Sequence, residues 1–104
     1  MQTTNERGGA LVTGASKGIG YAIALELSRR GHPVMIAARD LANAEDAARR
    51  IASATGNPAT AVRADRADRA AAAGAVEQAI AFTGRLGILV NNVGGSLFGG
   101  ILDI

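Results

Sequence analysis

The sequence predicts an α/β fold in which a parallel β-sheet is flanked by helices. Four short apolar runs alternate with three longer segments in which apolar residues recur every three or four positions. Breaks that contain glycine or proline separate several of these segments. Strands that alternate with helices are joined by right-handed crossovers and lie parallel, so the predicted sheet has the strand order third-second-first-fourth (3-2-1-4).

The first strand and the first helix are predicted at residues 9–13 and 19–30. The strand is a short apolar run, and the helix repeats its apolar residues every four positions, at Ile19, Ile23 and Leu27. Gly31 suits the left-handed conformation that commonly ends a helix.

The second strand is predicted at residues 34–38, which are all apolar. Asp40 is expected to cap the second helix, because its carboxylate can accept a hydrogen bond from a first-turn amide. We place this helix at residues 41–54, since the Thr-Gly-Asn-Pro sequence at 55–58 breaks the helical pattern.

The third strand is predicted at residues 60–64, and Asp68 is expected to cap an alanine-rich helix that reaches about residue 82. The fourth strand, at residues 87–90, is apolar on both faces, as is typical of the centre of a parallel sheet. In the predicted order it is nevertheless the outermost strand. We therefore expect an exposed edge there, and self-association of the chain through that edge.

The loop from Thr13 to Gly20 has the layout of a phosphate-binding site. It follows a strand and opens a helix, so its backbone amides and the positive end of the helix face one point. Gly14 suits the tight turn, Gly18 the close approach of a pyrophosphate, and Gly20 the packing of helix on strand. A nucleoside-triphosphate loop is excluded because Lys17 is followed by glycine rather than by Ser or Thr. The alternative is a glycine-rich connection without a ligand.

The spacing Gly-x-x-x-Gly-x-Gly, preceded by Thr13 and filled with Ala-Ser-Lys, resembles the nucleotide loop of the short-chain dehydrogenase/reductase family. The Asn-Asn-Val-Gly sequence at 91–94 is similar to the family's Asn-Asn-Ala-Gly, and the resemblance runs from about residue 9 to residue 93. It implies a Rossmann-like fold, truncated here after the fourth strand, and an oxidoreductase that reduces carbonyls or oxidises alcohols. The loop residues that it assigns to the cofactor are Gly14, Ala15, Ser16, Lys17, Gly18, Ile19 and Gly20.

The resemblance also assigns cofactor-binding residues outside the loop. Asp65 matches the acid that the family directs at the adenine amino group, and the backbone of Arg66 is expected near the adenine. Asn92 and Gly94 are expected beside the cofactor ribose, because they follow the fourth strand at the sheet edge that carries the glycine loop. The alternative for Asn92 is a turn after the strand.

Arg39 predicts NADP(H) rather than NAD(H) as the cofactor. In dinucleotide-binding folds an acid at the end of the second strand binds the ribose diol of NAD and repels a 2′-phosphate. Here that strand ends in Ala-Ala-Arg, and Arg39 and Lys17 can converge on one phosphate through charge-assisted hydrogen bonds. The pair is similar to that of NADP-using family members. The alternative is that Arg39 is solvated and Asp40 binds the ribose, which gives NAD(H).

The chain lacks the catalytic pair that the resemblance implies. Family members use Tyr-x-x-x-Lys, in which the lysine lowers the pKa of the tyrosine toward neutral pH. This sequence has one tyrosine, Tyr21, and one lysine, Lys17, in the reverse order, and Leu25 stands at the lysine position. We expect the cofactor-binding half of a reductase, inactive by itself and able to act on a small carbonyl or alcohol substrate only within a longer chain. The alternatives are a non-catalytic dinucleotide-binding module and a decayed remnant.

Composition limits the other functions. The 104 residues suffice for one domain, with a disordered polar lead-in at residues 1–8 and a partial dinucleotide-binding domain at residues 9–104. The sequence has no cysteine, and His32 is its one histidine, so no metal site is expected. The net charge of +2 comes from scattered arginines, so nucleic-acid binding is not expected. No segment resembles a membrane span or a signal peptide, which predicts a cytoplasmic protein.

Overall fold

The structure is a computed structural model that describes residues 8–65, 69–91 and 101–103. Strands and helices alternate as far as the fourth strand. In chain order the elements are β1 (Gly9–Thr13), α1 (Gly18–Arg29), β2 (Val34–Ala38), α2 (Leu41–Thr55), β3 (Ala59–Arg63), α3 (Arg69–Thr83), β4 (Leu86–Asn91) and β5 (Ile101–Asp103). The strands and helices predicted from the sequence are confirmed to within one residue at each end. Asp68, the predicted cap of α3, lies outside the described residues.

β1 lies at the centre of the parallel part of the sheet. It pairs in parallel with β2 and β4, and β3 pairs in parallel with β2, which confirms the predicted order β3-β2-β1-β4. Thr13 at the end of β1 lies beside Ala37 in β2 and Asn91 in β4, and Ala38 lies beside Arg63 in β3. The carboxyl ends of four strands therefore meet at one edge of the sheet, which is where open α/β sheets bind ligands.

The outer edge of β4 is paired, so the prediction of an open edge there is wrong. β5 runs antiparallel to β4, with Leu102 opposite Leu89 and Ile101 opposite Val90. Three residues make too short a run to show the alternation that identifies a strand, so the sequence prediction ends at the fourth strand. β5 thus pairs with Ile88, Leu89 and Val90 on this side of β4. Self-association stays a prediction that this edge no longer supports.

Each face of the sheet has its own hydrophobic core. Side chains alternate between the two faces along a strand. α1 and α2 cover the face that carries Val12 and Ile36, and Ile51 of α2 is buried in that core. α3 covers the face that carries Leu11 and Met35. Full burial of one such side chain contributes about 1.5–3 kcal/mol. β1 and β2 are buried on both faces, which explains why both are apolar along almost their whole length.

The ends of α2 are fixed by local sequence. The amide of Asn43 donates a hydrogen bond of 3.2 Å to Oδ1 of Asp40, which confirms the predicted N-cap. At the other end, Gly56 adopts a left-handed φ of 75° and its amide donates to the carbonyl of Ala52. The N-terminus of α2 therefore lies directly after β2, at the edge of the sheet that carries the glycine loop.

The opposite edge of the sheet holds the start of the described chain. The carbonyl oxygen of Gly8 lies 3.1 Å from Nδ1 of His32, so this histidine contacts backbone far from the glycine loop. Residues 1–7 of the predicted lead-in lie outside the described residues. Within the described ranges, no helix is long and apolar enough to cross a membrane. The cytoplasmic location stays a prediction.

Candidate dinucleotide-binding site

The loop between β1 and α1 depends on two glycines in left-handed conformations. Gly14 has a φ of 62° and Gly18 a φ of 67°, values that are strained for residues with a Cβ. The amide of Gly14 donates a hydrogen bond of 2.8 Å to the carbonyl of Ala37, which ties the start of the loop to β2. α1 begins at Gly18, so the loop ends where the first-turn amides of the helix begin.

The space in front of α1 is open. A Cβ built on Gly18 would meet no atom of the described chain within 4 Å. Lys17, the N-cap residue, is extended and its side chain makes no capping hydrogen bond to the first turn. Backbone amides that a side chain does not cap can bind an anion at a helix N-terminus. The loop therefore combines an open approach, amide donors and the charge of Lys17, which is the donor set that a pyrophosphate requires.

The remaining loop residues differ in exposure. Ala15 and Gly20 are buried, Ser16 is half-buried, and Ile19 is exposed. The burial of Gly20 is consistent with its expected packing on the sheet. Ser16 has neither a histidine nor a carboxylate hydrogen-bonded to it in the described part of the chain, so it is suited to anion binding rather than to nucleophilic attack.

Two charged residues, Arg39 and Asp40, follow β2 and make different contacts. Arg39 is exposed and forms no ion pair with any described residue. Asp40 is the cap of α2, where its Oδ1 accepts the 3.2 Å hydrogen bond from Asn43. One carboxylate oxygen that could bind a ribose hydroxyl is thus already used in holding the helix. This geometry favours Arg39 as the residue that meets the ligand.

The end of β3 lies beside the end of β2. The amide of Ala64 donates a hydrogen bond of 2.9 Å to the carbonyl of Ala38, and half-buried Asp65 follows at the edge of the sheet. Arg63 lines an open groove together with Arg39 and the start of α2. Sequence reasoning missed Arg63, because the predicted strand ended at Ala64 and left Arg63 in its interior. A basic residue at a strand's carboxyl end is the signal that could have found it.

Three predicted cofactor residues lie outside the described part of the chain: Arg66, Asn92 and Gly94. β4 is described as far as Asn91, which lies beside Thr13 of β1. Asn91 thus brings the chain to the edge of the sheet at the start of the glycine loop.

Two further questions are the surroundings of Tyr21 and the presence of a metal-binding group among the described residues. The ring of Tyr21 packs under the guanidinium of Arg50, which lies 4.7 Å from its centroid, so Tyr21 joins α1 to α2. Within the described ranges, no group of three or more histidine or acidic side chains could hold a metal ion.

Comparisons with known proteins agree with this geometry. The family model described as short chain dehydrogenase matches residues 9–104. An uncharacterized oxidoreductase of Methylorubrum extorquens is 42% identical over 95 residues, which are 91% of this chain and 38% of that protein. A variant of actinorhodin polyketide ketoreductase, solved with NADPH, superposes with a TM-score of 0.80 at 30% identity, over 90% of this chain and 35% of that one. A metagenomic short-chain oxidoreductase in complex with NADP superposes with a TM-score of 0.77 at 38% identity, over 94% of this chain and 44% of that one.

The matches cover nearly all of this chain and a smaller part of each relative. The chain spans 33% to 38% of the length of the first three curated relatives. The matched part includes the sheet order and the glycine loop described above. The chain belongs to the short-chain dehydrogenase/reductase family, and its fold is the Rossmann-like fold of that family.

Proposed function

We propose that this chain binds NADP(H) and is the cofactor-binding part of an oxidoreductase that interconverts carbonyls and alcohols. The observation that carries the proposal is the glycine loop. Gly14 and Gly18 adopt left-handed conformations, and the space beyond Gly18 is open at the start of α1. A loop of this shape exposes amides to a pyrophosphate, and membership of an oxidoreductase family agrees with that ligand.

NADP(H) is favoured over NAD(H) by the charges at the end of β2. Arg39 is exposed, whereas Asp40 caps α2 through its Oδ1. Arg39 is therefore the residue that we expect to contact the ligand. Arg39 and Lys17 would hold the 2′-phosphate. Two of the structural relatives support this preference, because one was solved with NADPH and the other with NADP.

Asp65 and the backbone of Arg66 would contact the adenine, while Asn92 and Gly94 would lie beside the ribose. Asp65 follows the carboxyl end of β3, and this position supports the first assignment. The other three residues are assigned from the family resemblance.

The bound nicotinamide would supply or accept a hydride, and this chain's residues would orient it. With one tyrosine, one lysine and no Tyr-x-x-x-Lys sequence, the 104 residues offer no proton donor for a developing alkoxide. We propose that catalysis on a small carbonyl or alcohol requires a longer chain. The same absence favours a second candidate, a dinucleotide-binding module without chemistry.

Titration of the chain with NADPH and NADH, followed by nicotinamide fluorescence, tests the proposal. We expect tighter binding of NADPH. Arg39→Ala should reduce that preference by weakening the binding of NADPH and not that of NADH. Wild-type chain that is folded by circular dichroism and binds neither cofactor would refute the dinucleotide site. Tighter binding of NADH would refute the assignment of NADP(H).

A further inference from the structure

Arg63 is the last residue of β3, and strand pairing places it beside the end of β2. Its register partner is Ala38, the residue directly before Arg39. Paired strands lie about 4.8 Å apart, so the backbones of Arg63 and Arg39 approach within the reach of one small anion. The two arginines are distant in sequence, and only the β2–β3 pairing brings them together.

Arg39 and Arg63 line the same open groove. Its other lining residues are those that begin α2, namely Asp40, Leu41, Ala42 and Asn43. Both arginines are exposed, and neither forms an ion pair with a carboxylate of the described chain. An anion bound in this groove can therefore accept hydrogen bonds from both guanidinium groups.

The charge of the groove suits a doubly charged anion. Two arginines and the positive end of α2 face one carboxylate, that of Asp40, whose Oδ1 is engaged by Asn43. The net charge of these side chains is positive. A phosphomonoester carries close to two negative charges at neutral pH, and guanidinium groups bind phosphate oxygens in a planar, bidentate manner.

We infer that Arg63 is a further selectivity residue for the 2′-phosphate of NADP(H), which acts from β3 beside Arg39 at the end of β2 and Lys17 in the glycine loop. The inference rests on the proposed function, which supplies the cofactor. Arg63 contacts the phosphate that distinguishes NADP(H) from NAD(H), and it contributes little to the part that the two cofactors share.

The test compares four forms of the chain: wild type, Arg63→Gln, Arg63→Lys and Arg29→Gln. Arg29 is the matched control, because it is an exposed arginine on α1 at the opposite end of the strands, where its partner is Glu26 at 3.9 Å. Calorimetric titration with NADP⁺, NAD⁺ and adenosine 2′,5′-bisphosphate gives the dissociation constants. Circular dichroism checks that each variant is folded.

We expect Arg63→Gln to raise the dissociation constants for NADP⁺ and the bisphosphate by about threefold to tenfold, the range for a solvent-exposed charged contact. The dissociation constant for NAD⁺ should rise by less than about twofold. Arg63→Lys should lose less affinity for NADP⁺ than Arg63→Gln, since lysine keeps the positive charge but cannot bind a phosphate in the bidentate manner of a guanidinium. The loss should shrink in about 1 M salt, where the Debye length falls to about 3 Å.

Equal effects of Arg63→Gln and Arg29→Gln would overturn the inference, because they would show a general charge effect. Equal losses for NADP⁺ and NAD⁺ would also overturn it, since they would place Arg63 against the adenine instead. Wild-type chain that binds no dinucleotide would instead remove the proposed function, and the inference would fall with it.

Discussion

The glycine loop gives the sharpest prediction, because the chain provides its own control. Gly18 and Gly56 have left-handed φ values of 67° and 75°, and at each a built Cβ meets no atom of the described chain within 4 Å. Alanine at either position therefore introduces the same kind of backbone strain, about 1–2 kcal/mol, with no steric clash inside the chain. Gly18 faces the candidate pyrophosphate site, whereas Gly56 ends α2 at the opposite edge of the sheet.

Gly18→Ala and Gly56→Ala should lower the free energy of unfolding by similar amounts and differ in dinucleotide binding. A methyl group on Gly18 would occupy the space that the pyrophosphate needs and would displace at least one amide–phosphate hydrogen bond. Such a charge-assisted bond contributes about 1.5–3 kcal/mol, so the dissociation constant for NADPH should rise by about tenfold to a hundredfold. Gly56→Ala should leave that constant within about twofold of wild type.

Urea unfolding followed by circular dichroism measures the stability, and NADPH fluorescence titration of the folded variants measures the binding. Equal NADPH affinities for the two variants would refute the assignment of Gly18 to a phosphate site. A loss of binding that scales only with loss of stability would have the same consequence, because strain alone would then explain it.

Three further predictions concern selectivity, catalysis and packing. Arg39→Ala should raise the dissociation constant for NADP(H) by about tenfold at moderate salt and leave that for NAD(H) nearly unchanged. Equal losses of affinity for the two cofactors in parallel titrations would contradict the 2′-phosphate assignment. The isolated chain should show no NADPH-dependent carbonyl reduction, because its sequence has no Tyr-x-x-x-Lys to donate the proton. General acid catalysis of this kind contributes about 10²- to 10⁴-fold in rate. Turnover by material free of host enzymes, monitored by NADPH absorbance, would disprove this. Gly9→Ala should destabilise the chain by about 1–3 kcal/mol in urea unfolding, since its Cβ would lie 2.5 Å from Cβ of buried Thr83. Gly74→Ala is the control and should cause no such loss, because its Cβ would meet no atom of the described residues within 4 Å.

The sequence alone determined the strand order and the position of the glycine loop. β1 and β2 are apolar runs that end at the same edge, and such runs fit strands buried on both faces. The helix ends could also be predicted locally, because the cap at Asp40 and the left-handed glycine at Gly31 depend on short-range chemistry.

Tertiary structure decided what depends on residues far apart in the chain. The edge of β4 is covered by β5, a run too short to predict from its own sequence. Arg63 joins Arg39 only because β3 pairs with β2 in a particular register. Strand register is set by packing across the whole sheet, so the sequence alone could not show that Arg63 lies beside Arg39.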